Sequence, residues 1–176
     1  MLFKSLKSII YMSLLMSVPG INAQSNSRSD SPLTGIEEAR VFFDHYLDAY
    51  NQRFGKPAQT AAFIESLSTL IHDPFIMLPV NNPPFLLPTR ADLTRGFDGF
   101  VQQLEAKGAV KLTWQEVNLM PLSEHKILAN NVGVATNSQG EVVYETLSLY
   151  VLVRVDGAWK IAVFSPYDKA YQWSIE

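Results

Sequence analysis

The chain has 176 residues, no cysteine and a formal net charge of −3. That length suits a single domain with a core large enough to stand without staples, and the missing cysteines remove thiol catalysis, thiolate metal sites and disulfides. The acidic balance, with no basic run, also excludes nucleic-acid binding by phosphate neutralisation.

The first elements read as targeting. Lys4 and Lys7, an apolar run over 9–18, the Pro19-Gly20 break and Ile21-Asn22-Ala23 predict a signal peptide over residues 1–23. The apolar run is about half of the roughly 20 residues that span a bilayer, so no membrane span is expected after cleavage. The protein is therefore expected to be exported, periplasmic in a Gram-negative bacterium and secreted otherwise. Removing Lys4 and Lys7 from the 14 basic residues leaves 12 against 17 acidic. Residues 24–33, polar and Ser-rich, predict a disordered linker.

A domain is expected over 34–170, with a short tail at 171–176. Thr34 and Glu37 form a capping box for a first helix over 35–53, whose buried stripe is Ile36, Ala39, Phe43, Tyr46, Leu47, Tyr50 and Phe54. Gly55 ends it, and Pro57 opens a second helix over 58–71 that buries Phe63, Ile64, Leu67, Leu70 and Ile71. His72-Asp73-Pro74 breaks the helix, and a short apolar strand follows over 75–80. The Pro-rich stretch 81–88 predicts a loop. Thr89 with Asp92 caps a third helix over 90–106, in which Gly96 and Gly99 predict close packing or a kink.

From Val110 the period changes to two. Strands are expected over 110–120, 125–136, 141–155 and 158–165, joined at Pro121, at 137–140 and at Asp156-Gly157. Helices followed by strands indicate an α+β fold: a curved antiparallel sheet packed against three N-terminal helices.

The last hairpin allows two registers. A two-residue turn places Trp159, Ile161 and Val163 beside Arg154, Leu152, Tyr150 and Ser148. A three-residue loop with Gly157 as the left-handed bulge residue places them beside Val153, Val151, Leu149 and Leu147. The second segregates a strongly apolar face and is the expected register. It puts Glu145 on the helix-facing side, and a four-residue loop over 137–140 would put Asn130 and Val132 there too. A carboxylate there is either paired at the sheet edge or a pocket group with a raised pKa.

This order of elements, with FFDHYLDAYN in the first helix, TRADLTRGFDGFVQQL in the third and YVLVRVDGAWKIAVFSPYD at the end, resembles the nuclear transport factor 2-like superfamily. That group includes the SnoaL-like polyketide cyclases and the ketosteroid isomerases. The resemblance implies a cone-shaped α+β barrel enclosing a pocket, often in a dimer. It marks the fold well and the function poorly, since the fold hosts unrelated activities. Ketosteroid isomerase chemistry needs an Asp base, a Tyr and a protonated Asp. Tyr46 matches the Tyr, but the base position reads Leu78 and the second acid position counts to Val151, so that reaction is not expected.

Three readings follow. The first is a binding domain holding a small amphipathic molecule, with Tyr46, Tyr50, Trp114, Asn130 and Glu145 as the ligand-binding residues and no catalytic residue or cofactor. The second is a lyase, cyclase or isomerase using Glu145 or the His72/Asp73 pair as base. The third is a module that forms a homodimer through an exposed sheet face around Tyr144, Tyr150 and Leu152. His45, His72 and His125 share no ligand spacing, so no metal site is expected.

Overall fold

The structure, a computed structural model, describes residues 32–87 and 89–171. The expected signal peptide, most of the linker and residues 172–176 lie outside the described residues. Helix α1 (Pro32–Arg53) begins inside the expected linker, so Thr34 stands in its first turn rather than at its cap. Its inward stripe is buried as the 3.6-residue period requires, with Ala39, Phe43, Tyr46 and Tyr50 each at most 4 % exposed. Gly55, at φ 68°, ends the turn in the left-handed region. A 3-10 turn (Pro57–Gln59) leads into α2 (Thr60–Leu70), which buries Phe63, Ile64 and Leu67.

The third expected helix is a continuous run of three pieces. These are α3 (Arg90–Leu93), a π-turn (Thr94–Asp98) and α4 (Gly99–Ala106). Thr89 caps it by accepting from the Asp92 backbone N–H at 3.2 Å. The disturbance foreshadowed by Gly96 and Gly99 is this π-turn, a wider coil that inserts one residue into the helical ladder. It turns Phe97 and Asp98 inward, and both are buried.

Six strands form one sheet in the order β2-β1-β6-β5-β4-β3. They are β1 (Ile71–Met77), β2 (Phe85–Leu86), β3 (Lys111–Ser123), β4 (Lys126–Thr136), β5 (Val142–Val155) and β6 (Ala158–Tyr167). β1 starts at Ile71, earlier than expected, and passes through His72-Asp73-Pro74 as strand. The sheet is mixed rather than wholly antiparallel, because β1 lies parallel to β6. The ladder slips between Ile71 and Ile76, where Pro74 supplies no N–H.

The hairpin register departs from expectation. Asp156 (φ 51°) and Gly157 (φ 81°) are both left-handed, the signature of a two-residue type I′ turn. Arg154 therefore opposes Trp159 and Leu152 opposes Ile161. A bulge at Ala162 then brings Val163 opposite Val151 and Phe164 opposite Tyr150. Tyr144, Thr146, Ser148, Tyr150 and Leu152 consequently face the helices. Glu145, Leu147, Leu149 and Val151 face away.

One buried ion pair ties the helices together. The Arg53 guanidinium, 1 % exposed at the end of α1, donates to Asp98 Oδ1 at 2.6 Å and to Glu105 Oε1 at 3.3 Å. Thr60 and Gln102 also donate to the Asp98 carboxylate, at 3.0 and 2.7 Å. Burial alone pushes that carboxyl up. The hydrogen bonds from Arg53, Gln102 and Thr60 and the Arg53 charge outweigh it, and hold the carboxyl below the ordinary range.

Candidate functional site

Between the sheet and the helices lies a cavity of about 520 Å³. Tyr46 and Tyr50, one turn apart on α1, share the face that looks into it. β5 contributes Tyr144, Thr146, Ser148 and Tyr150, every second residue, as strand alternation dictates. β3 adds Leu112 and Trp114, and β6 adds Phe164 and Pro166. The π-turn and α4 supply Gly96, Phe97, Phe100 and Gln103. Met77, Pro79, Asn82, Phe85 and Leu87, from β1 to just beyond β2, form the remaining wall.

The rings hold one another in place. Tyr46 lies parallel to Trp114, with centroids 6.4 Å apart and 8° between planes, while Phe43 and Tyr150 meet Trp114 edge-on. Trp114 spends its indole N–H on the Phe43 carbonyl at 3.1 Å, which fixes the ring and leaves its face for the cavity. Position 133 must be small for the same reason. A Cβ there would stand 3.1 Å from the Trp114 ring and 3.0 Å from the Thr146 methyl.

The polar groups in this wall are hydroxyls and amides. Tyr46 and Tyr50 place their hydroxyl oxygens 3.2 Å apart, and Thr146 and Ser148 theirs 3.3 Å apart. Burial raises the Tyr46, Tyr50 and Tyr150 phenols well above the ordinary tyrosine value, with the neighbouring tyrosine adding to the rise for Tyr46 and Tyr150. They are protonated donors at neutral pH. Among the described residues, the lining holds no Asp, Glu, His, Lys or Arg.

Three of the five expected binding residues, Tyr46, Tyr50 and Trp114, meet in this cavity. Asn130 and Glu145 do not, because the type I′ register turns them to the other side of the sheet. Glu145 is paired there with Lys169 Nζ at 2.9 Å, and Asn130 Oδ1 accepts from the Tyr167 hydroxyl at 2.6 Å. The other expected base pair is also elsewhere: His72 Nδ1 lies 3.1 Å from the Pro74 carbonyl, and Asp73 is exposed. Tyr150 and Leu152, expected on the exposed sheet face, are 3 % and 0 % exposed on the inner one. Thr146 and Ser148 went unnoticed as site residues. Their signal was legible, since they fall in step with Tyr144 and Tyr150 along β5.

The family described as NTF2-like protein (DUF6841) matches residues 37–169. This chain belongs to that family. The NTF2-like domain also resembles solved structures. One is a domain with a cystatin-like fold from Nostoc punctiforme, 19 % identical at TM-score 0.56, covering 79 % of this chain and 80 % of that one. Another is an NTF2-like protein with a cystatin-like fold from Novosphingobium aromaticivorans, 16 % identical at TM-score 0.57, covering 80 % and 85 %. A second Nostoc punctiforme protein with a cystatin-like fold is 8 % identical at TM-score 0.59, covering 80 % and 95 %. These likenesses carry the fold alone. No curated protein matches the chain.

Within the NTF2-like fold, neither position at which the ketosteroid isomerases keep an acid offers one to the cavity. Val151, the counted position of the second acid, points away from the cavity, and its inward neighbours are Tyr150 and Leu152. Pro79 lines the cavity and follows Leu78, whose N–H donates to the Phe164 carbonyl at 2.9 Å. No carboxylate stands at either place.

Proposed function

We propose that this NTF2-like domain is a binding protein for a small, uncharged, amphipathic molecule held in the cone. The observation that carries this reading is a ring-walled cavity of about 520 Å³ whose described lining bears no Asp, Glu, His, Lys or Arg. That volume falls within the roughly 300–1,000 Å³ of small-molecule sites. A charged ligand entering it would lose hydration with no counter-charge to replace it. An uncharged aromatic ligand gains ring contacts, and the protonated tyrosines offer donors to an oxygen on it.

Acid–base catalysis needs a group that titrates near the working pH. Glu145, His72 and Asp73 stand outside the cavity, so binding is favoured over a lyase, cyclase or isomerase. Isothermal titration with uncharged hydroxylated or carbonyl-bearing arenes, against their carboxylate analogues, tests the reading. The uncharged series should bind and the carboxylates should not. Tyr150→Phe should weaken binding about 2- to 10-fold, the worth of one hydrogen bond. An unaltered affinity would remove the Tyr150 hydroxyl from the contact set.

A second reading, a homodimer through the sheet, is favoured by a separate observation. The outward face carries Leu128, Leu149, Val151 and Val163, each half-buried in the single chain. A second copy meeting it would cover an apolar surface of the kind that marks interfaces. Export also belongs to the proposal, supported by the charge, apolar run and break in residues 1–23. Mass analysis of the N-terminus of the exported protein tests it, with cleavage after Ala23 expected.

A further inference from the structure

Asn131, in the middle of β4, is fully buried at 0 % exposure, and among the described residues neither its amide nitrogen nor its carbonyl oxygen has a hydrogen-bond partner. Buried amides are ordinarily paired, and an unpaired one is costly. β4 alternation places it in step with Ala129 and Gly133, on the side of the sheet that faces the helices. Its ladder neighbours are Val117 on β3 and Ser148 on β5. Ser148 is itself 0 % exposed and belongs to the cavity lining. Packing alone gives no reason for an amide here, since an apolar side chain would fill the same place without an orphaned donor and acceptor.

We infer that Asn131 and Ser148 form a polar floor beneath the cavity that reads a hydroxyl group on an uncharged ring ligand. This rests on the binding reading above and names the ligand's chemistry. A hydroxyl both donates and accepts. It can give its proton to Asn131 Oδ1 while accepting from the Asn131 amide or from Ser148 Oγ–H. An ether or a carbonyl only accepts, and leaves Oδ1 unpaired. Because Ser148, the ladder neighbour of Asn131, lines the cavity and Asn131 itself does not, the ligand reaches the amide by parting the Thr146–Ser148 hydroxyl pair. At 3.3 Å that contact is long for an O–H···O bond.

The test is calorimetric titration of 2-naphthol and 2-methoxynaphthalene into the wild-type domain, Asn131→Leu and Asn131→Ala, with thermal melts of each unliganded protein. The wild type should bind the naphthol about tenfold or more tighter than its methyl ether, the discrimination expected of a site left with an unpaired polar group. Both variants should bring that ratio close to one, and unliganded Asn131→Leu should melt at or above the wild-type temperature. A wild-type ratio near one, or a ratio unchanged in the variants, overturns the hydroxyl floor and leaves the cavity reading standing. If neither probe binds the wild type, the binding reading itself fails. A lowered melting temperature in Asn131→Leu with the ratio intact would make the amide a structural group. Should Asn131→Leu not fold, Asn131→Ala carries the ratio.

Discussion

Tyr46, Tyr50 and Tyr150 bring three buried phenols into one pocket, and their raised pKa values make a prediction about pH. An unfolded tyrosine ionises near pH 10, while the folded groups hold their protons above that. Their contribution to stability is therefore complete below about pH 10. It falls as pH rises further, because the unfolded chain releases protons that the native state keeps. Three such groups give a slope of about 4 kcal/mol per pH unit. Thermal melts should be insensitive to these groups between pH 7 and 9 and fall steeply above pH 10. Tyrosinate absorbance from all three appearing while the fold persists would contradict the burial assigned to them. At this scale the sequence was partly informative. Helical spacing announced Tyr46 and Tyr50, but nothing local to Glu145 or Asn130 says which side of a strand they occupy, because that depends on a turn several residues away.

Two elements carry the arrangement that the cavity needs. The first is the Asp156-Gly157 turn, whose two left-handed residues set the inner face of β5. Gly157→Ala puts a Cβ at φ 81° and should cost about 1–2 kcal/mol, whereas Asp156→Gly should be close to neutral. Denaturant midpoints of the two variants check this, and equal losses would argue against the type I′ turn. The second is the Arg53–Asp98 pair between α1 and the π-turn. Arg53→Met strands a buried carboxylate and should cost about 3–5 kcal/mol, while Arg53→Met with Asp98→Leu should restore much of it. A double variant no better than the single would show that the pair is not the unit that matters. Asp98 also makes stability sensitive to acid. Its depressed pKa gives stability that is present above the unfolded value near 3.9 and lost as pH falls through the folded one. The elements themselves were legible, because a change of period from 3.6 to 2 and well-placed Gly and Pro mark them. The face of the hairpin runs against its own polar pattern for a physical reason. Polar Ser148 and Arg154 suggested a solvent face, yet Ser148 serves the cavity and Arg154 is taken up by Glu38 and by stacking on Trp159.

Across the whole molecule, curvature lets one sheet enclose a pocket on one side and offer an apolar surface on the other. If two copies meet through that outward face, Val151→Glu should convert a dimer to a monomer in sedimentation without lowering the melting temperature of the isolated fold. A wild-type domain that sediments as a monomer at high concentration would remove the dimer reading. The cone itself could be foreseen from the order of helices and strands, whereas the occupant of the cone could not. A pocket's chemistry comes from residues far apart in sequence, such as Tyr46, Trp114 and Ser148, that only the folded sheet and helices bring together. A ligand that fits this lining is uncharged. Calorimetric titration of the domain with 2-naphthol and with 2-naphthoate at pH 7 tests it most directly. Saturable, one-to-one binding of the naphthol, with the naphthoate at least tenfold weaker, is the predicted result, and naphthoate binding as tightly as naphthol would contradict it.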